Sequence, residues 1–202
     1  MNIYFDMEFT GLRKHTTPIS IGMITENGET FYAEFNDFEW FQCDCWIIEN
    51  VINNLAYKDG CYYATVDNGI VNRIKDNLEM VSHELIKWLD FVSNGEEIQF
   101  VSDVCHYDMV LLIDIISNKG TAFDLPENIS PVCHDINQDI VEYYGISDRE
   151  AFNKSREEII EELGVKMLYG NKHNSLYDAM VIKNIHAELL ECRKVEKCKS
   201  SQ

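Results

Sequence analysis

The chain opens on an apolar run broken by charge: Ile3-Tyr4-Phe5-Asp6-Met7-Glu8-Phe9 reads as a buried strand carrying two acids. Two more strand-like runs follow, Ile19 to Ile24 and Thr30 to Phe35. They are joined by Glu26-Asn27-Gly28-Glu29, whose Asn-Gly step favours a tight hairpin turn. Apolar residues at Ile47, Ile48, Val51, Ile52 and Leu55 predict a helix from Trp46 to Leu55. A longer amphipathic helix is predicted from Glu79 to Val92, through Val81, Leu85, Trp88 and Leu89, with Asn94-Gly95 as its stop. A strand from Glu97 to Val101, a helix from Tyr107 to Ser117 and a short strand within Pro131 to Ile136 come next. Helices are then expected near 137–144, near 149–163 and from about 175 to 194. The polar, Tyr/Asn/Asp-rich stretch 57–77 has no period that assigns it to an element.

Three strands followed by alternating helices and strands predict an α/β sandwich. Its mixed central sheet would have an antiparallel hairpin at the front and flanking helices. At 202 residues, 46% of them hydrophobic, the chain suits a single domain (1–202) with a full core, in which 195–202 would be a flexible tail. No apolar run approaches the ~18 residues of a membrane span. The acidic pair lies so close to Met1 that a signal peptide has no room. A cytoplasmic protein with no membrane partner is the expectation. The seven cysteines are odd in number and are expected as free thiols; Cys43 and Cys45, spaced C-x-C, fall outside the usual zinc spacings.

The formal net charge of −18 disfavours broad, non-specific binding of nucleic acid, which depends on neutralising phosphates. It leaves room for an enzyme that grips one strand end, where bound divalent cations invert the local field. Arg13, Lys14, His15 and Lys172 flank the segments of interest and are read either as such a grip or as ordinary surface charge.

Asp6 and Glu8 share one face of their strand, about 6–7 Å apart. Two carboxylates that close in apolar surroundings repel each other and are costly to desolvate, and clustered oxygen ligands most often hold a divalent cation. Two more acids sit on apolar helix stripes. Asp108 is followed by Leu111, Leu112 and Ile115, and Asp178 by Ile182, Ile185 and Leu189. Either aspartate alone could serve only the helix dipole, and Ser175 with Asp178 resembles a capping box. The four together point to convergence on metal. His173 precedes Asp178 by five residues, too far around a helix to share its face, which puts His173 on the preceding loop. A lone histidine is more often a surface or core residue. Beside this site, its near-neutral pKa makes it the candidate general base.

The segments Asp6-Met7-Glu8-Phe9-Thr10-Gly11-Leu12, Tyr107-Asp108 and His173-Asn174-Ser175-Leu176-Tyr177-Asp178-Ala179 resemble the three motifs of the DEDDh 3′–5′ exonuclease superfamily. The first is similar to oligoribonuclease and the third to ribonuclease T. Pro18-Ile19-Ser20-Ile21-Gly22 resembles the second strand region of the family, and the whole layout most resembles the mycobacterial-type 3′–5′ exoribonuclease group. The resemblance implies a ribonuclease H-like fold and a two-metal phosphodiesterase. Asp6, Glu8, Asp108 and Asp178 would ligate two Mg²⁺ or Mn²⁺ ions, with His173 as base. The substrate would be the 3′ end of single-stranded or short RNA, released as nucleoside 5′-monophosphates. DNA is the alternative substrate, and a catalytically silent binding module the alternative class. Phe9, Thr10 and Leu12 are expected to line the terminal-nucleotide pocket, against the reading that Phe9 and Leu12 are core. Relatives are commonly dimers, and the tyrosines of 57–77 are a candidate homodimer contact. In place of the His-Asn pair common before the second-motif aspartate, this chain has Ser102-Asp103-Val104-Cys105-His106-Tyr107-Asp108. Asp103 therefore competes with Asp108; the apolar stripe and the Tyr-Asp pair favour Asp108.

Overall fold

Strands β1 (Asn2–Phe9), β2 (Pro18–Thr25) and β3 (Thr30–Phe35) form an antiparallel meander in the computed structural model, which describes residues 1–57, 63–166 and 170–200. All eight residues of β2 are buried, as befits a central strand covered on both faces. Strand β6 (Gln99–Ser102) lies parallel to β1 but pairs with it only through Asn2, Ile3 and Tyr4. The two-residue β7 (His134–Asp135) extends that edge.

The other edge is built by the stretch whose pattern assigned it to nothing. Within residues 57–77, β4 (Tyr63–Asp67) and β5 (Ile70–Asp76) form a hairpin, and β5 runs parallel to β3. It turns at Asn68-Gly69, both with positive φ (51° and 83°), the backbone that a tight two-residue hairpin demands. The sheet order is β4-β5-β3-β2-β1-β6-β7. Residues 58–62 of the candidate dimer contact lie outside the described residues.

Helices α2 (Leu78–Ser93) and α3 (His106–Ile116) cover one face of the sheet, packing Val81, Leu85, Trp88, Leu112 and Ile115 onto Ile3, Phe5, Met7, Ile21 and Met23. Each such buried side chain contributes roughly 1.5–3 kcal/mol. Helix α2 ends on Asn94, left-handed at φ 46°, at the expected stop. The long helix α7 (Ser175–Ser200) covers the opposite face with α4 (Ile136–Tyr144), α5 (Asp148–Asn153) and α6 (Arg156–Glu162). It continues past the expected end at 194, and residues 201–202 of the expected tail lie outside the described residues. The single helix expected near 149–163 is two, because the Ser155 side chain caps a new start by accepting the Glu158 N–H. The expected 46–55 helix is α1 (Cys45–Asn50) followed by one 3₁₀ turn. No described helix is long and apolar enough to cross a membrane.

Strand periodicity then places the acids. Ile3, Phe5 and Met7 point toward α2 and α3, and Tyr4 points toward α7; Asp6 and Glu8 fall on the Tyr4 side. Across β2 their register partners are Gly22 and Ser20.

Candidate active site

Beyond Tyr4, β1 has lost β6 as a neighbour, because the chain leaves β6 at Ser102 and bends through Asp103-Val104-Cys105 into α3. The bend is strained. Val104, a β-branched residue, has φ 52°, and the His106 N–H donates to the Val104 carbonyl at 2.7 Å. It delivers Asp108, only 7% exposed, in the first turn of α3. The Asp108 Oδ1 accepts the backbone N–H of Met7 at 2.9 Å, in the place a strand neighbour would occupy. Asp108 is thus fastened to the strand that carries Asp6 and Glu8.

The third segment arrives on top of β2. Gly22 has no Cβ, and one placed there would lie 2.1 Å from the Leu176 nitrogen and 2.3 Å from its Cα. The start of α7 therefore rests on the β2 backbone, secured by a 3.0 Å hydrogen bond between the Ser20 and Ser175 hydroxyls. The helix is capped by Asn174, whose Oδ1 accepts the Tyr177 N–H at 3.2 Å. This removes the alternative reading of Ser175 and Asp178 as a capping box: Ser175 faces the sheet, and Asp178 Oδ2 accepts the His173 N–H at 2.8 Å. His173 is held in the left-handed region at φ 63°. Its Nδ1 lies 3.5 Å from Glu8 Oε1, and its ring stands edge-on to Trp46 with centroids 5.0 Å apart. Glu8, His173 and Asp178 each bring a potential ligand atom within 4.8 Å of the others.

The electrostatics follow from this crowding. Burial, then Asp108, Asp178 and Glu8, hold the Asp6 carboxyl well above the ordinary carboxylate range. Burial raises Asp108 to about 7, against the lowering effect of the Met7 N–H. Asp178 also rises to about 7, through burial and the charge of Glu8. A hydrogen bond to Glu8 pushes His173 upward. Three aspartates whose carboxyls are all pushed above the ordinary range by burial and by neighbouring acids form a donor set short of positive charge. The all-oxygen character of the set suits Mg²⁺ or Mn²⁺.

The competing acid is engaged elsewhere. Both Asp103 oxygens take a fork from Arg156 (2.5 Å from Nε, 2.6 Å from Nη2), and Asn137 Nδ2 donates to one of them at 2.6 Å. Asp103 lines the cavity beside Asp6 and Glu8 as part of that ion pair.

A groove of about 1,020 Å³ runs from the acids past Phe9, Leu12, Trp46, Tyr107 and Phe152. Phe9 and Tyr107 pack with ring centroids 5.6 Å apart, and Leu12 is 78% exposed, which removes the core reading for Leu12. Thr10, expected beside them in the pocket, is fully buried. Its hydroxyl donates to Gln42 Oε1 at 2.7 Å and accepts the Thr17 N–H at 3.0 Å, closing the loop that presents Phe9 and Leu12. Trp46, Phe152 and Arg156 were not foreseen. A tryptophan placed outside the Ile47–Val51 stripe was a readable sign for the first; Phe152 and Arg156 carried none.

Solved structures share this fold over nearly the whole chain. A 3′-exonuclease described in its 3′-end-specific recognition of the histone mRNA stem-loop superposes with a TM-score of 0.64 at 15% identity, over 94% of this chain and 81% of that one. The fold is that of the 3′-exonucleases. The nuclease domain of 3′hExo, a DEDDh family member bound to rAMP, gives 0.62 at 13% identity, over 94% and 91%. The RNase domain of yeast Pop2 gives 0.58 at 13% identity, over 95% and 77%. No protein-family model and no curated protein matches the sequence. On this exonuclease fold, the acids of β1, the first turn of α3 and the start of α7 meet over the second half of β1.

Proposed function

We propose that the chain is a divalent-cation-dependent 3′–5′ exoribonuclease that releases nucleoside 5′-monophosphates from single-stranded or short RNA. One observation carries the reading. Asp6, Glu8, Asp108, Asp178 and His173, from three separate segments, converge at the head of an apolar groove. Asp6, Glu8, Asp108 and Asp178 would hold two Mg²⁺ or Mn²⁺ ions. Such ions, when bound, lower the pKa of an attacking water and stabilise the leaving 3′ oxygen.

The protein's own groups supply the rest. His173 is fixed by its strained backbone, by Trp46 and by Glu8 beside Nδ1, which leaves Nε2 to take the proton of the attacking water. Phe9, Leu12, Trp46 and Tyr107 offer faces for sugar and base without reading sequence. Arg13, Arg156 and Lys172 already hold protein acceptors: Arg13 the Gln42 carbonyl, Arg156 the Asp103 carboxylate and Lys172 the Glu157 carboxylate. With a net charge of −18, that favours recognition of a strand end over tracking along a polymer. RNA is supported by the neighbours that share the fold, one described with a histone mRNA stem-loop and another with rAMP.

The test is degradation of short 5′-labelled RNA and DNA strands with Mg²⁺, Mn²⁺ or chelator. Metal-dependent shortening of RNA from the 3′ end, absent in Asp6→Ala, is the expected result. Preference for DNA would move the substrate, and cleavage of neither polymer would remove the enzymatic reading.

A further inference from the structure

A second cluster of ligand-type side chains lies away from the acids. It joins His134 on β7, Asp139 on α4 and His186 on α7. Their potential ligand atoms all fall within 4.8 Å of one another. His186 follows Asp178 by eight residues on the same helix, about 12 Å along its axis, so the two groups are distinct.

Both imidazoles address the same carboxylate oxygen. His134 Nε2 is 2.5 Å and His186 Nε2 3.7 Å from Asp139 Oδ2. The outer contacts then fix how each ligand points. Tyr4 shares a 3.1 Å hydrogen bond through its hydroxyl with His186 Nδ1, which commits that nitrogen and turns Nε2 toward Asp139. Arg193 Nη1 holds the other Asp139 oxygen at 2.9 Å and is itself held by Glu142 at 2.8 Å. Asp139 and His186 are buried, at 3% and 5% exposure, while a third of the His134 side chain is open to solvent. The cluster is therefore walled on the inside and accessible through one ligand.

We propose that His134, Asp139 and His186 form a second cation site that takes a zinc-class transition ion. Two imidazoles and a carboxylate are the donor set of Zn²⁺ and its later first-row neighbours, whereas Mg²⁺ and Mn²⁺ prefer oxygen. Zn–N and Zn–O bonds near 2.0–2.2 Å in a tetrahedron put ligand atoms about 3.3 Å apart, between the two separations to Oδ2. The shorter one opens by a shift of the solvent-exposed His134. A fourth ligand would be water, which can enter past the partly exposed His134. An ion there ties the sheet edge to α4 and to the helix that carries Asp178. The chain would thus sort hard and borderline cations between two places by ligand chemistry alone.

The experiment uses the full chain carrying Glu8→Gln and Asp178→Asn, so that the acidic group does not compete for the ion. After chelator treatment the protein is titrated with Co²⁺ and then displaced with Zn²⁺. One equivalent of Co²⁺ with the visible absorption of a low-coordinate ion is expected, with affinity falling at least about tenfold in His134→Gln. Unchanged affinity and absorption in His134→Gln would overturn the proposal, as would no binding in the parent. Anomalous scattering from wild-type crystals with stoichiometric Zn²⁺ gives a reading independent of variant folding. A peak among the three side chains supports the site, and a peak only at Glu8 and Asp178 overturns it.

Discussion

Gly22 lies directly beneath Leu176: the first turn of α7 rests on the β2 backbone with no room for a methyl group between them. Gly22 is also the register partner of Asp6, so the helix that brings Asp178 is seated one strand away from the acid it joins. Gly22→Ala would force the two backbones apart. A loss of about 1–3 kcal/mol in stability is expected from overpacking, with a larger proportional loss of cation affinity as Asp178 withdraws. Denaturant unfolding and calorimetric cation titration measure the two effects. Ser20→Ala, which removes only a hydrogen bond, should cost about 1 kcal/mol and leave cation affinity within a few-fold.

Acidic crowding sets a pH dependence whose sign is opposite to that of a salt-bridged carboxylate. Asp6, Asp108 and Asp178 have folded-state pKa values above their unfolded values. Between about pH 4 and 7 the folded state therefore holds more protons than the unfolded state, and stability without cations falls as pH rises. Thermal melts in chelator should show a lower midpoint at pH 8 than at pH 5.5. Adding Mg²⁺ should raise the midpoint far more at pH 8.

Asp108→Asn should separate stability from activity. Asparagine keeps an oxygen for the Met7 N–H and removes a charge that burial disfavours. In chelator at pH 8 the variant is expected to be more stable than the wild-type chain, by on the order of 1–3 kcal/mol, while nuclease activity is lost. A destabilised variant would mean that the Asp108 charge is compensated without metal.

His173→Ala should bind cations nearly as well as wild type and lose about 10²–10⁴-fold in kcat. Trp46→Ala acts on the same ring from outside and also strips one face from the groove. A rise in KM larger than the fall in kcat is expected there. Steady-state kinetics on one short RNA separates the two patterns.

Asp103→Asn tests the competing acid. Its carboxylate is committed to Arg156, so the variant should lose about 1–3 kcal/mol of stability and retain the full number of bound cations. Loss of one cation equivalent by calorimetry would make Asp103 a ligand.

What was readable in the chain was whatever a single period or a single turn signal controls. The β1–β3 meander, α2 with its Asn94 stop, and the places of Asp6, Glu8, Asp108, His173 and Asp178 all follow from local pattern and motif spacing. Misreadings arose where contacts distant in sequence decide. The β4–β5 hairpin escaped because β4 is an edge strand exposed on both faces, so its apolar positions do not alternate with burial. Its Asn68-Gly69 turn was as legible as Asn27-Gly28. Thr10 follows directly after Glu8 and Phe9, which line the groove, yet its hydroxyl is claimed by Gln42, thirty-two positions away. The Arg156 fork that occupies Asp103 spans fifty-three positions, and no local pattern encodes it.

The hydrogen bond from Met7 to Asp108 also constrains how this chain could drift. Because β6 leaves β1 after three paired residues, that amide depends on a side chain for its acceptor. A descendant that gave up chemistry by losing Asp108 to an apolar residue would expose the fold to an orphaned buried donor at the same stroke. The tolerated route out of catalysis is therefore narrow. Inactive copies of this architecture should carry asparagine at position 108 more often than alanine or valine.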